Sequence, residues 1–495
     1  MRPENTNPAV FGAGRSRIIA GSCGPILALA GAVYLTPMLV FIAYPAELRY
    51  WPDFLLPALA LVAVGLALWV IFPRGQTHFS IVDGAVVVVL SWIVVCTVSA
   101  FPIAKLAHLT FTQAVFESVS GWTTTGLSVV DVEKAPKVLL IWRSIMQLAG
   151  GAGLAIIMLA AFSLPIGAGI YRAEGRSDQL VPNVIRSTKL VVLLYSIYAA
   201  VGIVSYILAG MDPFDAVNHS FAAVSTGGFS TKADSIGYWN SPAIEAVTIP
   251  LMILGNMNFL TVYVLFRGKF GAFFRNAEMK VLSLAILVGV VLVFVFVTKG
   301  LYTPLSKSVR VALFDTISAI TTTGFSTESY NNWPPAGYLV FIVLMLIGGG
   351  TCSTAGGIKQ FRVYVMFKSV IWELKRLLRP RGAVIENSLW QGEERIFVRP
   401  DTIREVGTFV FLYLMLYFIG TFVMVAYGYS LQDSLFEFAS ALGTVGLSVG
   451  VTSTTTPAPV LWVETCGMFL GRLEIIVVFL FFAQIVKRTK VALGR

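Results

Sequence analysis

Hydropathy along the chain alternates between long apolar runs and short polar connections, and the long runs have the length of membrane crossings. One extends from Ile18 to about Tyr44 and a second from Phe54 to Phe72. Four more, Ile81 to Phe101, Leu190 to Ala209, Val281 to Val297 and Val406 to Tyr427, each open a unit that a further run closes. The closing runs are Val138 to Phe162, Ile244 to Phe266, Tyr338 to Phe367 and Val460 to Val486. All of them reach the roughly 17 residues that a hydrocarbon core of about 30 Å requires. Inside each unit, between the outer and inner runs, sits a stretch too short to cross. Aligned on a glycine, the four copies read FESVSGWTTTGLS ending at Ser128, NHSFAAVSTGGFS at Ser230, FDTISAITTTGFS at Ser326 and FEFASALGTVGLS at Ser448. Phe116, Asn218, Phe314 and Phe436 share one register position, and Glu117, His219, Asp315 and Glu437 the next.

Each copy has two halves. The first is amphipathic and makes only about three turns of helix, so it enters the membrane and stops. The second, such as Thr123-Thr124-Thr125-Gly126, combines β-branched residues that disfavour helix with a glycine that tolerates unusual backbone angles. Non-helical backbone at membrane depth survives only where it lines water or is buried in protein. Four such segments converging would surround a narrow path with carbonyl oxygens, with the negative end of each short helix aimed at it; that is a cation filter. The expected architecture is an all-α polytopic membrane protein. It comprises four pseudo-symmetric repeats of helix, pore helix and helix around one pore, after two extra N-terminal transmembrane helices. The divisions are 1–75 for the tail and extra helices, 76–165, 186–268 and 276–368 for the first three repeats, 369–403 for a cytoplasmic segment, and 404–495 for the fourth repeat and basic tail.

Composition agrees: 56% of residues are hydrophobic and 13% charged, with mean hydropathy +0.79. A net charge of +10 by itself suggests nucleic acid, yet the basic residues lie between apolar runs rather than on one soluble face, and membrane topology explains them better. Arg172, Arg176, Arg186 and Lys189, then Arg267, Lys269, Arg275 and Lys280, then the stretch from Lys368 to Arg404, and finally Lys487, Arg488 and Lys490 all fall on one side, the cytoplasmic side with both termini. Asp131, Glu133, Asp212, Asp234, Glu328 and Asp433 fall outside, where they would concentrate cations at a pore mouth. The scattered Cys23, Cys96, Cys352 and Cys466 indicate neither a disulfide framework nor a zinc site.

Two features interrupt the inner runs. In the third repeat GGGTCSTAGGIK, Gly348 to Lys359, places five glycines at membrane depth. It is no Walker loop, since Ile358 separates Gly357 from Lys359 and Gln360 follows. A packing kink or a flexible loop under the filter remains, and the glycine density favours the loop. In the fourth repeat Arg472 sits near mid-membrane, where a charge costs about 2.5–3.5 kcal/mol unless it faces water or a partner. A pore-facing barrier and an interhelical pair both fit.

These filter repeats, with WRSIMQLAGGAG from Trp142 to Gly153, GNMNF from Gly255 to Phe259, the glycine-rich loop and the late GRLE, resemble the Trk/Ktr/HKT superfamily of potassium transporters. The two extra helices and KRLLRPRGAV, Lys375 to Val384, resemble the Trk membrane subunit more than the Ktr one. The resemblance implies potassium uptake across a bacterial inner membrane, a homodimer embedded in membrane lipid, and a cytosolic nucleotide-binding regulatory subunit. It implies K+ as transported ion and no organic cofactor on this chain. Carried over, the filter becomes Thr124, Thr125 and Gly126; Thr226, Gly227 and Gly228; Thr322, Thr323 and Gly324; and Thr444, Val445 and Gly446. The gate becomes Gly350, Thr351, Cys352, Ser353, Thr354, Ala355, Gly356 and Gly357 with Lys359, and Arg472 becomes the basic residue below the filter. An alternating-access transporter for a small organic solute is the alternative, though it predicts inverted repeats with matching breaks. An intramembrane enzyme is weaker, for want of paired His ligands, HExxH or a Ser/His pair.

Overall fold

The structure is a computed structural model that describes residues 8–72, 81–153, 184–380, 386–391 and 394–492. The end of the first inner run beyond Gly153, Arg172 and Arg176, and the close of the Lys375 to Val384 stretch lie outside the described residues.

Among the described residues, six helical segments are long and apolar enough to cross a membrane unaided: Ser16–Ala43, Pro45–Ile71, Val82–Leu106, Lys189–Leu208, Ala277–Leu301 and Pro400–Ala426. These are the two N-terminal spans and the four outer spans expected from the apolar runs. The N-terminal pair packs through small residues, as apolar helices do in lipid. A side chain on Gly31 would sit 2.7 Å from the Ala58 carbonyl oxygen, and one on Gly65 2.6 Å from that of Gly24. The pair docks on the first repeat by Tyr34 and Phe54 against Trp142, with ring centroids 4.3 and 6.1 Å away. Glu47 caps the first inner helix, Lys137–Ala152, its carboxylate accepting from the Lys137 and Val138 amides at 2.7 Å each.

The inner spans depart from the sequence expectation, which broke only the third with a glycine loop and took the others as continuous. In the second, Pro242–Asn256 ends at Met257 and Asn258, and Phe259–Phe266 resumes. In the third, Pro335–Ile347 and Gln360–Leu378 flank the glycine-rich loop. In the fourth, Ala458–Arg472 meets Ile475–Lys487 at 105°. That bend turns on Glu474, at φ +64°, whose carboxylate accepts from the Arg362 guanidinium at 2.7 Å. Hydropathy is blind to it, because apolar residues continue on both sides and the stabilising cation comes from another repeat.

The stretches between outer and inner spans are helices that stop short. Phe111–Trp122, Pro213–Val224 and Leu431–Leu442 have 12 residues each, about 18 Å at 1.5 Å per residue. Leu305–Ile320 has 16. Thr110, Asp212 and Ser430 cap the 12-residue helices through their side chains. From Ala114 to Trp122 every residue is buried, so a helix amphipathic in sequence is enclosed by protein on all faces. An antiparallel hairpin, Ser388–Gln391 with Glu394–Phe397, lies between the third and fourth repeats.

Candidate ion pathway

Two residues past the end of each short helix stands a threonine in the left-handed backbone region: Thr124 (φ +56°), Thr226 (+51°), Thr322 (+54°) and Thr444 (+50°). Two residues later comes the aligned glycine, also at positive φ: Gly126 (+96°), Gly228 (+73°), Gly324 (+82°) and Gly446 (+95°). β-Branched residues rarely adopt such angles, so four in register mark a backbone fixed by its surroundings. A Cβ on Gly126 would overlap the Gly227 carbonyl oxygen, one on Gly228 that of Thr323, one on Gly324 that of Val445, and one on Gly446 that of Thr125. Each repeat's glycine abuts the next repeat's carbonyl, and the fourth returns to the first. The four segments close a ring.

Behind the ring, the register position after the shared Phe or Asn ties down the chain just beyond each glycine. Glu117 accepts from the Ser128 hydroxyl and Val129 amide at 2.9 Å each. Glu437 accepts from Ser448 Oγ (2.7 Å) and the Val449 and Thr452 amides (3.0 Å each). Asp315 takes the Thr327 amide (3.0 Å) and hydroxyl (2.8 Å). His219 sits 2.9 Å from Ser230 Oγ through Nε2, while Nδ1 donates to the Asp215 carbonyl at 2.8 Å, since a carbonyl can only accept. The first inner helix adds two braces that the sequence reading did not single out. Arg143, buried, donates to Glu117 at 2.7 Å, to Ser128 Oγ at 2.8 Å and to the Ser230 carbonyl at 3.2 Å. Gln147 donates to the Gly227 carbonyl and accepts from the Phe229 amide at 3.2 Å. Removing one partner of a buried ion pair costs about 3–5 kcal/mol by stranding the other charge. Arg143→Ala is therefore expected to depress folded yield sharply, and Arg143→Ala with Glu117→Gln to recover part of it, as read by size-exclusion chromatography.

The glycine-rich loop lies against the threonine side of the ring. The Gly356 amide donates to Thr322 Oγ1 at 2.8 Å, and the Thr354 and Thr226 hydroxyls are 3.0 Å apart. A Cβ on Gly356 would meet the Gly443 carbonyl and Thr444 Oγ1. Among the described residues the Thr124 and Thr444 hydroxyls are buried without a hydrogen-bond partner. The loop is pinned by Glu278, which accepts from the Thr351 amide and hydroxyl at 2.7 Å each, and by Gly350 N on the Asn256 carbonyl at 3.0 Å. Ser353 Oγ donates to the Gly350 carbonyl (2.7 Å), Lys359 Nζ donates to the Ala355 carbonyl, and Cys352 and Gly357 take positive φ of +52° and +78°. Arg472, partly exposed, spans three repeats: it donates to the Thr354 carbonyl at 3.0 Å and to those of Gly150 and Gly151 at 2.5 and 3.2 Å.

A family model described as TrkH, cation transport protein, matches residues 52–492. The chain belongs to the TrkH family. Over 472 residues it is 31% identical to an uncharacterized cation transporter of Methanocaldococcus jannaschii, covering 94% of this chain and 95% of that one. Over 484 residues it is 31% identical to the Trk system potassium uptake protein TrkG of Escherichia coli, covering 94% and 98%. The crystal structure of the potassium transporter TrkH from Vibrio parahaemolyticus matches with TM-score 0.81 at 29% identity, covering 94% of this chain and 98% of that one. This TrkH-family chain is a multi-pass membrane transporter and not an enzyme.

On the glycine side of the ring the TrkH-family fold opens into a vestibule of about 890 Å³, lined by Asp131, Glu133, Asp234 and Glu328 but also by Arg143, Lys232 and Lys307. Lys307 pairs with Glu328 at 2.5 Å and Lys134 with Asp131 at 2.7 Å. The hydrogen bond from the Lys134 ammonium holds the Asp131 carboxyl below the usual carboxylate range. Asp212 and Asp433, expected at the mouth, instead serve the first turns of their short helices, where the positive helix end favours an acid. The mouth is thus closer to neutral than the outside acids alone implied.

Proposed function

We propose that this chain carries K+ into the cell through the ring formed by Thr124 to Gly126, Thr226 to Gly228, Thr322 to Gly324 and Thr444 to Gly446. The observation that carries the reading is the closed order of the ring, each glycine against the carbonyl of the next repeat. A dehydrating cation needs several oxygens at once, and four backbone segments held from behind supply them without rearranging. The orphan hydroxyls of Thr124 and Thr444 offer further oxygens on the loop side. K+ is the cargo, and the reading needs no organic cofactor. The loop from Gly350 to Gly357, with Lys359, is the gate: it occupies the threonine side of the ring, and Arg472 latches it to the first repeat.

The Escherichia coli relative is a potassium uptake protein and the Vibrio one a potassium transporter, which supports K+ as the ion. The termini lie in the cytoplasm by the distribution of Lys and Arg. The working unit is a homodimer in a bacterial inner membrane, regulated by a cytosolic nucleotide-binding subunit. Copurification of such a soluble protein with the chain tests the last point, and its absence from the isolated complex contradicts it.

Rb+ flux into proteoliposomes tests transport: the reading expects flux, and transport of an organic solute with no Rb+ flux refutes it. For selectivity, the last three positions through the aligned glycine hold one glycine in three copies and two in the second, against the two of a TVGYG filter. K+ is preferred over Na+, less sharply than in such channels. Gly126→Ser, with a Cβ against the Gly227 carbonyl, is expected to lower the K+ to Na+ permeability ratio several-fold. An unchanged ratio in reversal-potential measurements counts against the filter assignment.

A further inference from the structure

Away from the ion path, an apolar groove of about 550 Å³ runs along the third repeat, between the outer helix Ala277–Val293 and the two halves of the inner span, Pro335–Ile347 and Gln360–Leu378. Leu284, Val288, Leu339 and Val343 wall it, and Lys280 and Tyr364 stand at its loop-side end. Leu284 and Leu339 are 62% and 64% exposed on helices that belong to the membrane-embedded part of the protein, so hydrocarbon is what they meet. From Lys280 to Leu292 the groove follows thirteen residues of helix, a rise of about 18 Å, close to the depth of one leaflet of a core about 30 Å thick. Among the described residues Lys280 makes no ion pair, and its side chain is exposed at the start of the span. An apolar channel one leaflet long with a cation at its interfacial end fits one class of molecule. Basic pockets between helices on the cytoplasmic side take acidic lipid headgroups, while the long lysine stem lies along apolar surface.

We propose that this groove binds an anionic phospholipid, with an acyl chain along Leu284 and Val288 and the phosphate on Lys280. The site touches the elements from which the glycine-rich loop hangs. Glu278, two residues before Lys280, holds Thr351, and Ile347 in the groove wall is the last helical residue before the loop. Lipid occupancy therefore biases the loop position, a consequence that rests on the gate reading; binding itself does not.

The test is native mass spectrometry of the purified, delipidated full chain titrated with phosphatidylglycerol or phosphatidylcholine. The wild type is expected to retain phosphatidylglycerol about fivefold more strongly, the factor one lysine near an anionic headgroup supplies. Lys280→Gln, at an exposed position that leaves the core intact, should abolish that preference while either lipid still binds. Ala285→Trp fills the groove and should remove both lipids. Phosphatidylglycerol preference unchanged in Lys280→Gln overturns the site, as does lipid binding unchanged in a folded Ala285→Trp. Disulfide crosslinking between two copies of a Val288→Cys variant in membranes also overturns it, since a second copy would then occupy the groove.

Discussion

Arg472→Ala is expected to fold normally and to raise Rb+ uptake into proteoliposomes by roughly ten- to a thousandfold, without need of a soluble partner. Two effects set the range. Charge-assisted hydrogen bonds contribute about 1.5–3 kcal/mol each, and Arg472 directs three at carbonyls of the loop and of the first inner helix, so its loss frees the loop. A fixed positive charge about 4 Å from a passing K+ also opposes it by about 4 kcal/mol at an effective dielectric near 20, and each 1.36 kcal/mol is tenfold in rate. Each of these three acceptors is a neutral backbone carbonyl, and Glu474 keeps its own partner in Arg362. Normal yield with flux still dependent on the partner would sink the latch assignment.

Gly324→Ala is expected to lower Rb+ uptake by about a hundredfold or more while folded yield stays near wild type. The new Cβ falls against the Val445 carbonyl and 3.0 Å from the Gly446 Cα, so the third and fourth segments must separate. Gly324 also sits at φ +82°, where a non-glycine residue pays about 1–2 kcal/mol in strain. Gly428→Ala separates these causes: Gly428 has φ +94° and open space around it, so it carries the strain alone. Uptake should survive Gly428→Ala and fail in Gly324→Ala. Equal loss in both variants would mean that backbone strain, not ring closure, disables the protein.

Much of this arrangement was legible in the sequence because it is repeated. The register of Thr-Thr-Thr-Gly against short amphipathic runs placed the four segments, and the outer spans announced themselves through hydropathy. The shared position of Glu117, His219, Asp315 and Glu437 was visible as a column, but its role as an anchor was not. Three carboxylates and one imidazole do the same work with different atoms, and only coordinates show Ser128, Ser230, Thr327 and Ser448 in reach. Arg143 and Gln147 were hidden for another reason. They lie four apart on one helix face and both reach carbonyls of the second repeat, 80 to 87 residues away in sequence, while Arg143 also ties Glu117 and Ser128 of its own repeat. The bend at Glu474 left no trace either, since its φ of +64° is fixed by Arg362 across the fold rather than by a local glycine or proline.

The most direct test of the central claim is anomalous diffraction from crystals grown with Tl+ in place of K+. The account predicts peaks inside the ring, at the level of the Thr125, Gly227, Thr323 and Val445 carbonyls, that disappear when Na+ replaces Tl+. Tl+ bound elsewhere in the membrane-embedded region with the ring empty would contradict it.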